Sequence, residues 1–285
     1  MRFALINSGL GLLAAASELR KLHPGTDLVI AMDPDGMPWG PRTPLDIAAR
    51  SLALARAAAT YRPDVIVMAC NTGTVHALGA LRAEFEPRIP VVGTVPAIKP
   101  AAAASGSVAI WATLGTTASA YQRQLIADFG GRASVTPVAC PALASAIDAG
   151  DEAGMNAAIT DAARHTPASC TAIVLGCTEY ELVEDEIAAA VPGMTLFGSA
   201  TAVAAQASRR ATAANGSGPD GAAHGGAAPD RAAPDGAAPD RAGPAGAGPA
   251  GATGGAVHVL LSGRPTATLP DAALRYRQGR ELAPL

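Results

Sequence analysis

Short runs of apolar residues alternate along this chain with longer, alanine-rich stretches of helical character. The runs are rich in valine, isoleucine and leucine, which is typical of strands buried in a parallel sheet. Because strands that alternate with helices form βαβ units, the pattern predicts an α/β fold with parallel sheets. The clearest helix start is Thr43-Pro44-Leu45-Asp46, where an N-cap threonine precedes a proline. The predicted strands in this part of the chain are Phe3–Ile6, Leu28–Met32, Val65–Cys70, Val91–Thr94, Val108–Thr113, Val135–Cys140, Ala172–Cys177 and Thr195–Gly198.

One long stretch, residues 212–255, interrupts this pattern. It contains no leucine, isoleucine, valine or aromatic residue and repeats short units of alanine, glycine, proline and aspartate. Such a sequence buries too little apolar surface to offset its ordering entropy, so it is predicted to be a disordered insertion. A strand at Val257–Leu261 and a short helix at Asp271–Gln278 are predicted after it, so the insertion interrupts the fold and does not end it.

Composition narrows the classes of function. The 285 residues carry a formal net charge of -3, so the chain lacks the basic surface that binds nucleic acid. No apolar run reaches the roughly 20 residues that cross a bilayer, so we expect no membrane partner. The first apolar run is too short for a signal peptide, which predicts a cytoplasmic protein.

The cysteines are expected to be free thiols, because disulfides are rare in a reducing cytoplasm. There are four of them, Cys70, Cys140, Cys170 and Cys177, and their spacing with the histidines completes no tetrahedral metal site. We therefore expect no metal. Cys140 and Cys170 have apolar or nondescript neighbours and are predicted to be small core hydrophobes. His76 is the histidine nearest a candidate site, and a surface or helix-cap role is favoured for it.

Two of the cysteines lie at the ends of predicted strands, with polar residues directly after them. Cys70 is followed by Asn71-Thr72, and Cys177 by Thr178-Glu179. The carboxyl ends of parallel strands are where ligands bind in open α/β sheets, so we expect both thiols in one site. A pair of thiols facing a substrate carbon can remove a proton from one side and return it on the other.

Three further loops follow predicted strands and add candidate ligand contacts. Asn7-Ser8-Gly9-Leu10-Gly11 allows close backbone approach, although it lacks the third glycine of a dinucleotide fingerprint. Pro38-Trp39-Gly40-Pro41 is a rigid loop suited to the wall of a pocket. Thr113-Leu114-Gly115-Thr116 offers hydroxyl and backbone N–H groups. Each loop alone is typical of an ordinary βα turn, and their common position after strands is what favours a binding role.

Six short motifs share their order and spacing with one known family. They are Asn7-Ser8-Gly9, Pro38-Trp39-Gly40-Pro41, Ala69-Cys70-Asn71-Thr72, Ala120-Tyr121-Gln122, Ala139-Cys140-Pro141 and Gly176-Cys177-Thr178-Glu179-Tyr180. On these motifs the chain resembles the glutamate racemase branch of the cofactor-independent aspartate/glutamate racemase superfamily. The resemblance extends from Met1 to about Gln206 and includes the tail 257–278, which leaves only the low-complexity insertion without a counterpart.

The resemblance implies two pseudo-symmetric parallel-sheet α/β domains with the active site in the cleft between them. The expected first domain is 1–97 plus 256–285, the second is 98–206, and the insertion is 212–255. The resemblance also implies catalysis without pyridoxal phosphate or any other cofactor. The partner would be a small-molecule substrate, an amino acid or a small carboxylic acid, and a homodimer is compatible with this family.

The resemblance further assigns roles to single residues. Cys70 and Cys177 would flank the substrate α-carbon, one as a thiolate base and the other as a thiol acid. The positions that would hold or line the substrate are Ser8, Trp39, Gly40, Asn71, Thr72, Thr113, Thr116 and Thr178.

Three positions depart from the family pattern, and all three are assigned to the catalytic set. Asn7 stands where an aspartate assists the first cysteine, so Cys70 is expected to lose a titrating partner. Glu179 stands at a histidine position. A carboxylate there can take the proton of Cys177, yet it disfavours the neighbouring thiolate by like-charge repulsion. Asp148 takes the place of a helical glutamate and is one methylene shorter.

These residues favour a racemase or epimerase of an acidic or related polar amino acid, acting by two-base proton transfer at the α-carbon. The changes at Asn7 and Glu179 favour a specialised paralogue over a housekeeping glutamate racemase. Three alternatives stay open. They are a maleate-type isomerase that uses two cysteines, a malonate-type decarboxylase with one catalytic cysteine, and a non-catalytic binding paralogue.

Overall fold

The structure, a computed structural model, describes residues 1–216 and 254–283. In these residues ten strands alternate with eleven α-helices, and two 3-10 helices span Thr178–Val183 and Asp271–Arg275. The strands are β1 (Arg2–Asn7), β2 (Asp27–Met32), β3 (Val65–Met68), β4 (Val91–Gly93), β5 (Ser107–Ala112), β6 (Ser134–Ala139), β7 (Ala172–Leu175), β8 (Thr195–Phe197), β9 (Val257–Leu261) and β10 (Arg264–Thr266). The helices are α1 (Leu12–Leu22), α2 (Pro44–Ala59), α3 (Asn71–Phe85), α4 (Ile98–Ala104), α5 (Leu114–Thr117), α6 (Ala120–Phe129), α7 (Leu143–Ala149), α8 (Glu152–His165), α9 (Glu184–Ala190), α10 (Ala200–Gly216) and α11 (Arg277–Leu282).

The first sheet has six strands in the order β10-β9-β2-β1-β3-β4. Its neighbouring strands are parallel, except that the edge strand β10 runs antiparallel to β9. Asn7 at the end of β1 lies opposite Met32 of β2, and Ile6 lies opposite Met68 of β3. The three central strands therefore end side by side, and the loops that follow them meet at one edge of the sheet.

The second sheet has four parallel strands in the order β6-β5-β7-β8. This order repeats β2-β1-β3-β4 of the first sheet, strand for strand. The two halves are thus pseudo-symmetric, and the predicted α/β class with two parallel-sheet units is confirmed. β3 and β7 occupy equivalent places in the two sheets, and each predicted candidate cysteine follows one of them.

Alternate residues of the central strands pack on opposite sides of each sheet. Phe3 and Leu5 of β1 belong to a core that also includes Trp111 of β5 and joins the two halves. Ala4 and Ile6 instead pack with side chains of α2 and α3 in a separate core. Because both faces of the first sheet are covered, its strands carry continuous apolar sequence, which is why the runs were recognisable.

Two predictions near the end of the chain differ from the structure. The edge strand β10 was not predicted, because Arg264-Pro265-Thr266 is polar and contains a proline, which suits only an edge. The helix predicted over Asp271–Gln278 is wrong as a single element. It is a 3-10 helix followed by α11, and the extended backbone of Tyr276 separates the two.

The predicted insertion 212–255 lies largely outside the described residues, which omit 217–253. Its first residues continue α10 as far as Gly216, so the helix runs farther than composition predicted. α10 packs against α1, β3 and β4, and the chain therefore returns to the first sheet from Ala200 onwards. The domain boundaries at 97 and 206 stay predictions.

Within residues 1–216 and 254–283, no helix combines the length and the apolar character needed to cross a bilayer.

Candidate active site

A cavity of about 400 Å³ lies where the carboxyl ends of the two sheets face each other. Loops after β1, β2, β3, β5, β6 and β7 all contribute to its wall. The predicted site residues that line it are Ser8, Trp39, Gly40, Cys70, Thr72, Thr113, Asp148, Cys177 and Glu179. The structure therefore brings both candidate thiols to one cavity between the halves.

Cys70 occupies the N-cap position of α3, directly after β3. Its Sγ accepts the backbone N–H of Gly73 at 3.4 Å, as helix N-terminal N–H groups commonly bind an acceptor. Burial raises the pKa of Cys70 to about 12, and the negative charge of Glu179 adds to the rise. The backbone N–H groups of Gly73, Thr72 and Ser8 act in the opposite direction. The first thiol thus lies among hydrogen-bond donors that favour its thiolate.

Cys177 follows β7 and leads into a 3-10 helix, with no side-chain cap. Its Sγ donates to Oε2 of Glu179 at 2.8 Å, and the hydroxyl of Thr178 donates to the same oxygen at 3.3 Å. Burial raises the pKa of Cys177 well above its usual value, and the charge and hydrogen bond of Glu179 raise it further. The second thiol is therefore held protonated by a carboxylate.

Asp148, on α7, brings a second carboxyl group to the cavity wall. Its Oδ1 accepts the backbone N–H of Leu10 at 2.8 Å. Burial, followed by the charge of Glu179, raises the pKa of Asp148 to about 8. A Cβ at Gly9 would lie 2.3 Å from Asp148 Oδ1, and one at Gly11 would lie 2.8 Å from Glu179 Cδ. The glycines after β1 are thus required by the close approach of two carboxyl groups.

Asn7 lies behind the cavity wall and does not line it. Its Nδ2 donates to the carbonyl oxygen of Ala69 at 2.6 Å and to Oγ1 of Thr178 at 3.2 Å. Its Oδ1 accepts the backbone N–H of Ser8 at 2.6 Å. Asn7 was expected to act beside Cys70. Its side chain bonds both to the residue before Cys70, Ala69, and to the residue after Cys177, Thr178.

A second chamber of about 340 Å³ adjoins the first and shares Gly40, Thr72, Thr113 and Gly115 with it. It contains two further predicted substrate positions, Asn71 and Thr116. The last one, Thr178, lines neither chamber and bonds to Asn7 and Glu179 behind the wall. Thr113 is the N-cap residue of α5. Its Oγ1 accepts the backbone N–H of Thr116 at 3.3 Å and donates to the hydroxyl oxygen of the same residue at 3.0 Å. Hydroxyl groups therefore line the join between the two chambers.

Asn71 links the two halves directly. Its Nδ2 donates to the carbonyl oxygen of Gly176 at 2.6 Å, across 105 residues of sequence. Its Oδ1 is buried and has no hydrogen-bond partner within the described part of the chain. A buried acceptor without a partner is costly, so this oxygen is suited to a donor group on a ligand, such as a substrate ammonium.

Trp39 and Gly40 form part of the wall as predicted. The Trp39 side chain is buried, and its Nε1 donates to Asp33 Oδ2 at 2.9 Å. Arg50 pairs with the same carboxylate at 3.2 Å, which fixes the base of the loop. This loop is thus a rigid wall supported from behind.

Several cavity residues were not predicted as site residues. Cys140 was assigned to the core, and it is buried, but it also lines the first chamber beside Ser145. Burial raises the pKa of Cys140 to about 12. The sequence signal that could have identified Cys140 as a cavity residue is its position after β6, the strand equivalent to β2, whose loop also lines the cavity. His76 is exposed and lines the second chamber together with Tyr121.

The acidic side chains of the cavity wall, Asp148 and Glu179, have no basic side chain beside them in the part of the lining that the structure describes. Neither chamber is lined by a lysine or arginine within the residues that the structure describes. The same residues contain no group of three or more histidine, cysteine, aspartate or glutamate side chains able to hold a metal ion. The polar groups that the walls offer to a ligand are therefore thiols, hydroxyl groups, helix N–H groups and two carboxyl groups, and they lie among apolar side chains such as Trp39 and Leu114.

Comparison with known proteins gives a consistent set of relatives. Residues 7–207 match the family described as Asp/Glu/Hydantoin racemase. The chain is 36% identical over 217 residues to the glutamate racemase of Herpetosiphon aurantiacus, covering 74% of this chain and 85% of that protein. It is 34% identical over 211 residues to the glutamate racemase of Pseudomonas putida strain W619, covering 72% and 79%.

Solved structures show the same similarity. The glutamate racemase of Escherichia coli, in complex with L-glutamate and an activator, matches with a TM-score of 0.68 and 31% identity, covering 74% of this chain and 82% of that one. A glutamate racemase of Bacillus anthracis matches with a TM-score of 0.61 and 26% identity, covering 73% and 80%. The two-sheet arrangement around a central cavity is therefore shared with enzymes of known fold.

Proposed function

The chain belongs to the Asp/Glu/hydantoin racemase family and is an amino-acid racemase, and we propose that it works by two-base proton transfer between two thiols. The proposed substrate is an acidic or related polar amino acid, and no cofactor takes part. One observation carries the proposal. Cys70 and Cys177, which follow equivalent strands of the two sheets, both line one cavity.

The chemistry explains why two thiols are needed. One thiolate removes the α-proton from one face of the substrate, and the thiol on the other side delivers a proton to the opposite face, which inverts the carbon. The α-proton of an amino acid is far less acidic than a thiol, so the carbanion-like state must be stabilised in a desolvated site. Cys70 is buried, Cys177 is partly buried, and the donors around Cys70 favour its thiolate, so the site goes some way to meeting that demand.

Substrate binding would also adjust the thiols. The negative charge of Glu179 raises the pKa of both Cys70 and Cys177 in the free protein. A substrate ammonium placed near Glu179 and Asp148 would offset that charge, because a nearby cation favours an ionised acid. The thiolate would therefore form more readily once the substrate is bound.

The remaining polar groups suit the α-carboxylate and the side chain. Thr72, Thr113 and Thr116 present hydroxyl groups to the chambers, and Asn71 offers an unpaired oxygen to a donor group of the substrate in the second chamber. Because no lysine or arginine lines either chamber in the described residues, substrate anions would be held by hydroxyl and N–H groups. A polar substrate without a long apolar side chain fits these contacts.

The direct test is a substrate screen in deuterium oxide. The purified protein is incubated with each L- and D-amino acid, and α-deuterium incorporation is followed by proton NMR. We expect exchange and loss of optical rotation with one or a few acidic or amide-bearing amino acids. A folded sample that exchanges no α-proton of any of these substrates would refute the proposal.

A further inference from the structure

A continuous line of hydrogen bonds crosses from the first half of the molecule to the second thiol. Asn7 Nδ2 donates to Thr178 Oγ1 at 3.2 Å, and Thr178 Oγ1 donates to Glu179 Oε2 at 3.3 Å. That oxygen also accepts the thiol proton of Cys177 at 2.8 Å. The line begins at Asn7, the last residue of β1, and ends at Cys177, two residues after β7, so it joins the two halves.

The direction of each bond in this line is determined by its chemistry. An amide nitrogen donates only, so Thr178 Oγ1 must accept from Asn7. The single hydroxyl hydrogen of Thr178 is then free to point at Glu179. The second N–H of Asn7 is held by the carbonyl oxygen of Ala69, and its Oδ1 by the N–H of Ser8, so the amide cannot rotate. A carboxylate at this position would place an oxygen against the Ala69 carbonyl oxygen and would compete with Glu179 for the hydroxyl hydrogen of Thr178.

Packing shows how little freedom the line has. Asn7 is fully buried, and Thr178 and Glu179 are nearly so. A Cβ at Gly11 would lie 2.3 Å from Thr178 Oγ1 and 2.8 Å from Asn7 Nδ2. Gly11 therefore packs closely against both groups, and the Thr178 hydroxyl holds the Glu179 oxygen that faces the thiol.

We propose that Asn7 is a positioning residue for the Cys177 half of the site. Through the Thr178 hydroxyl it holds the Glu179 carboxylate in the orientation that exchanges a proton with the Cys177 thiol. This inference rests on the proposed two-base racemisation. It assigns Asn7 to the thiol on the opposite half of the molecule and not to Cys70, which follows the neighbouring strand.

The test requires a measurement that separates the two thiols. A racemisation has an equilibrium constant of unity, so kcat/KM is equal in both directions and does not show which thiol is impaired. Primary deuterium isotope effects do show it. If Cys177 becomes the slow partner, the isotope effect rises for the α-deuterated enantiomer that Cys177 deprotonates and falls for the other. The ratio of the two isotope effects is therefore the measured quantity.

The variants are Asn7→Ala, Thr178→Val and Cys177→Ser, each assayed with both α-deuterated enantiomers of the substrate found in the screen. Because Glu179 raises the pKa of both thiols, the reference is Cys177→Ser, which identifies the enantiomer that Cys177 deprotonates. We expect Asn7→Ala and Thr178→Val to lower kcat about tenfold, as loss of a hydrogen bond to a charged group does. We also expect both to shift the isotope-effect ratio in the same direction as Cys177→Ser. Thr178→Ser keeps the hydroxyl, so it should show the wild-type isotope-effect ratio.

Controls and outcomes separate this inference from the proposed function. Asn156→Ala and Thr160→Val, on the exposed side of α8, are matched substitutions expected to change neither rate nor ratio. A ratio that moves in the opposite direction in Asn7→Ala and Thr178→Val would assign Asn7 to Cys70 and overturn the inference. An unchanged ratio in an active variant would overturn it as well. If the wild-type protein exchanges no α-proton, the proposed function itself fails.

Discussion

The two ends of the cavity carry the same residue type at equivalent places in sheets of the same strand order, but the turn that follows each thiol differs. After Cys70 the chain enters the regular helix α3, and the thiol accepts an N–H. After Cys177 it forms a 3-10 helix, and the thiol donates to Glu179. One thiol is surrounded by donors, and the other faces an acceptor.

This difference shows that a pseudo-symmetric fold can supply unequal acid/base groups. N–H donors stabilise a thiolate, whereas a carboxylate acceptor stabilises a protonated thiol. At rest, Cys70 is the thiol better prepared to remove a proton and Cys177 the one better prepared to deliver it. Sequence alone predicted that Cys70 loses a titrating partner at Asn7, and the structure places Cys70 at the N-terminus of α3, whose N–H groups favour its thiolate.

The largest expected effect comes from removing either thiol. Cys70→Ser and Cys177→Ser should each lower racemisation about 10³-fold, because a hydroxyl is a much poorer proton carrier than a thiol at neutral pH. Polarimetry with the substrate from the screen gives the rate. Cys170→Ser, a buried cysteine outside both chambers, is the matched control and should remain active. An active Cys70→Ser or Cys177→Ser protein would show that this thiol is not one of two bases.

A smaller effect should distinguish the two thiols from each other. Burial is the largest cause of the raised pKa of Cys177, and Glu179→Gln removes the negative charge that raises it further, so its pKa should fall and its alkylation should quicken. One pKa unit corresponds to about tenfold more thiolate, and we expect a change of this order at pH 8. Iodoacetamide labelling followed by peptide mass spectrometry measures Cys177 and Cys70 separately.

Cys70 should respond less, because after burial Glu179 raises its pKa by charge alone, whereas Glu179 raises the pKa of Cys177 by its charge and by a hydrogen bond. Asp185→Asn, an exposed carboxylate on α9, serves as the matched control and should leave both labelling rates unchanged. A larger gain in labelling rate for Cys70 than for Cys177, each measured against the wild-type protein, would contradict the assignment of Glu179 to Cys177.

The smallest expected effect is on stability. Because the pKa of Asp148 is raised to about 8 in the folded protein, the stability associated with its proton is present at low pH and is lost as the pH rises through about 8. Asp148→Asn removes this dependence. Since solvent screens a half-buried carboxyl group, we expect Asp148→Asn to raise the free energy of unfolding by about 1–2 kcal/mol more at pH 8.5 than at pH 5. Urea unfolding at the two pH values checks it, and a gain that is equal at both would contradict the raised pKa.

Much of the fold follows from local sequence. The valine- and isoleucine-rich runs gave the strands, because both faces of each central strand are buried. The helix start at Thr43 was equally local, and its side chain does accept the N–H of Asp46 at 3.3 Å. The edge strand β10 and the break at Tyr276 were missed, since neither produces a periodic apolar pattern.

The residues at the strand ends that form the site were predictable from the sequence, but the hydrogen bonds that connect them were not. The polar residues after Cys70 and Cys177 identified the cavity, because parallel strands end at one edge. The bond from Asn7 to Thr178 joins positions 171 residues apart, and only tertiary packing creates it. Cys140 was predicted as core for a related reason, since a buried cysteine and a cysteine in a cavity wall have the same local sequence.

The central claim, that two thiols act on opposite faces of one α-carbon, is tested most directly by the early fate of deuterium. A single enantiomer of the substrate is converted in deuterium oxide, and the two enantiomers are separated on a chiral column after a few per cent of reaction. Two bases predict that the newly formed enantiomer carries one α-deuterium while the unreacted enantiomer carries almost none. Deuterium appearing equally fast in the unreacted enantiomer would indicate a single base and would contradict the claim.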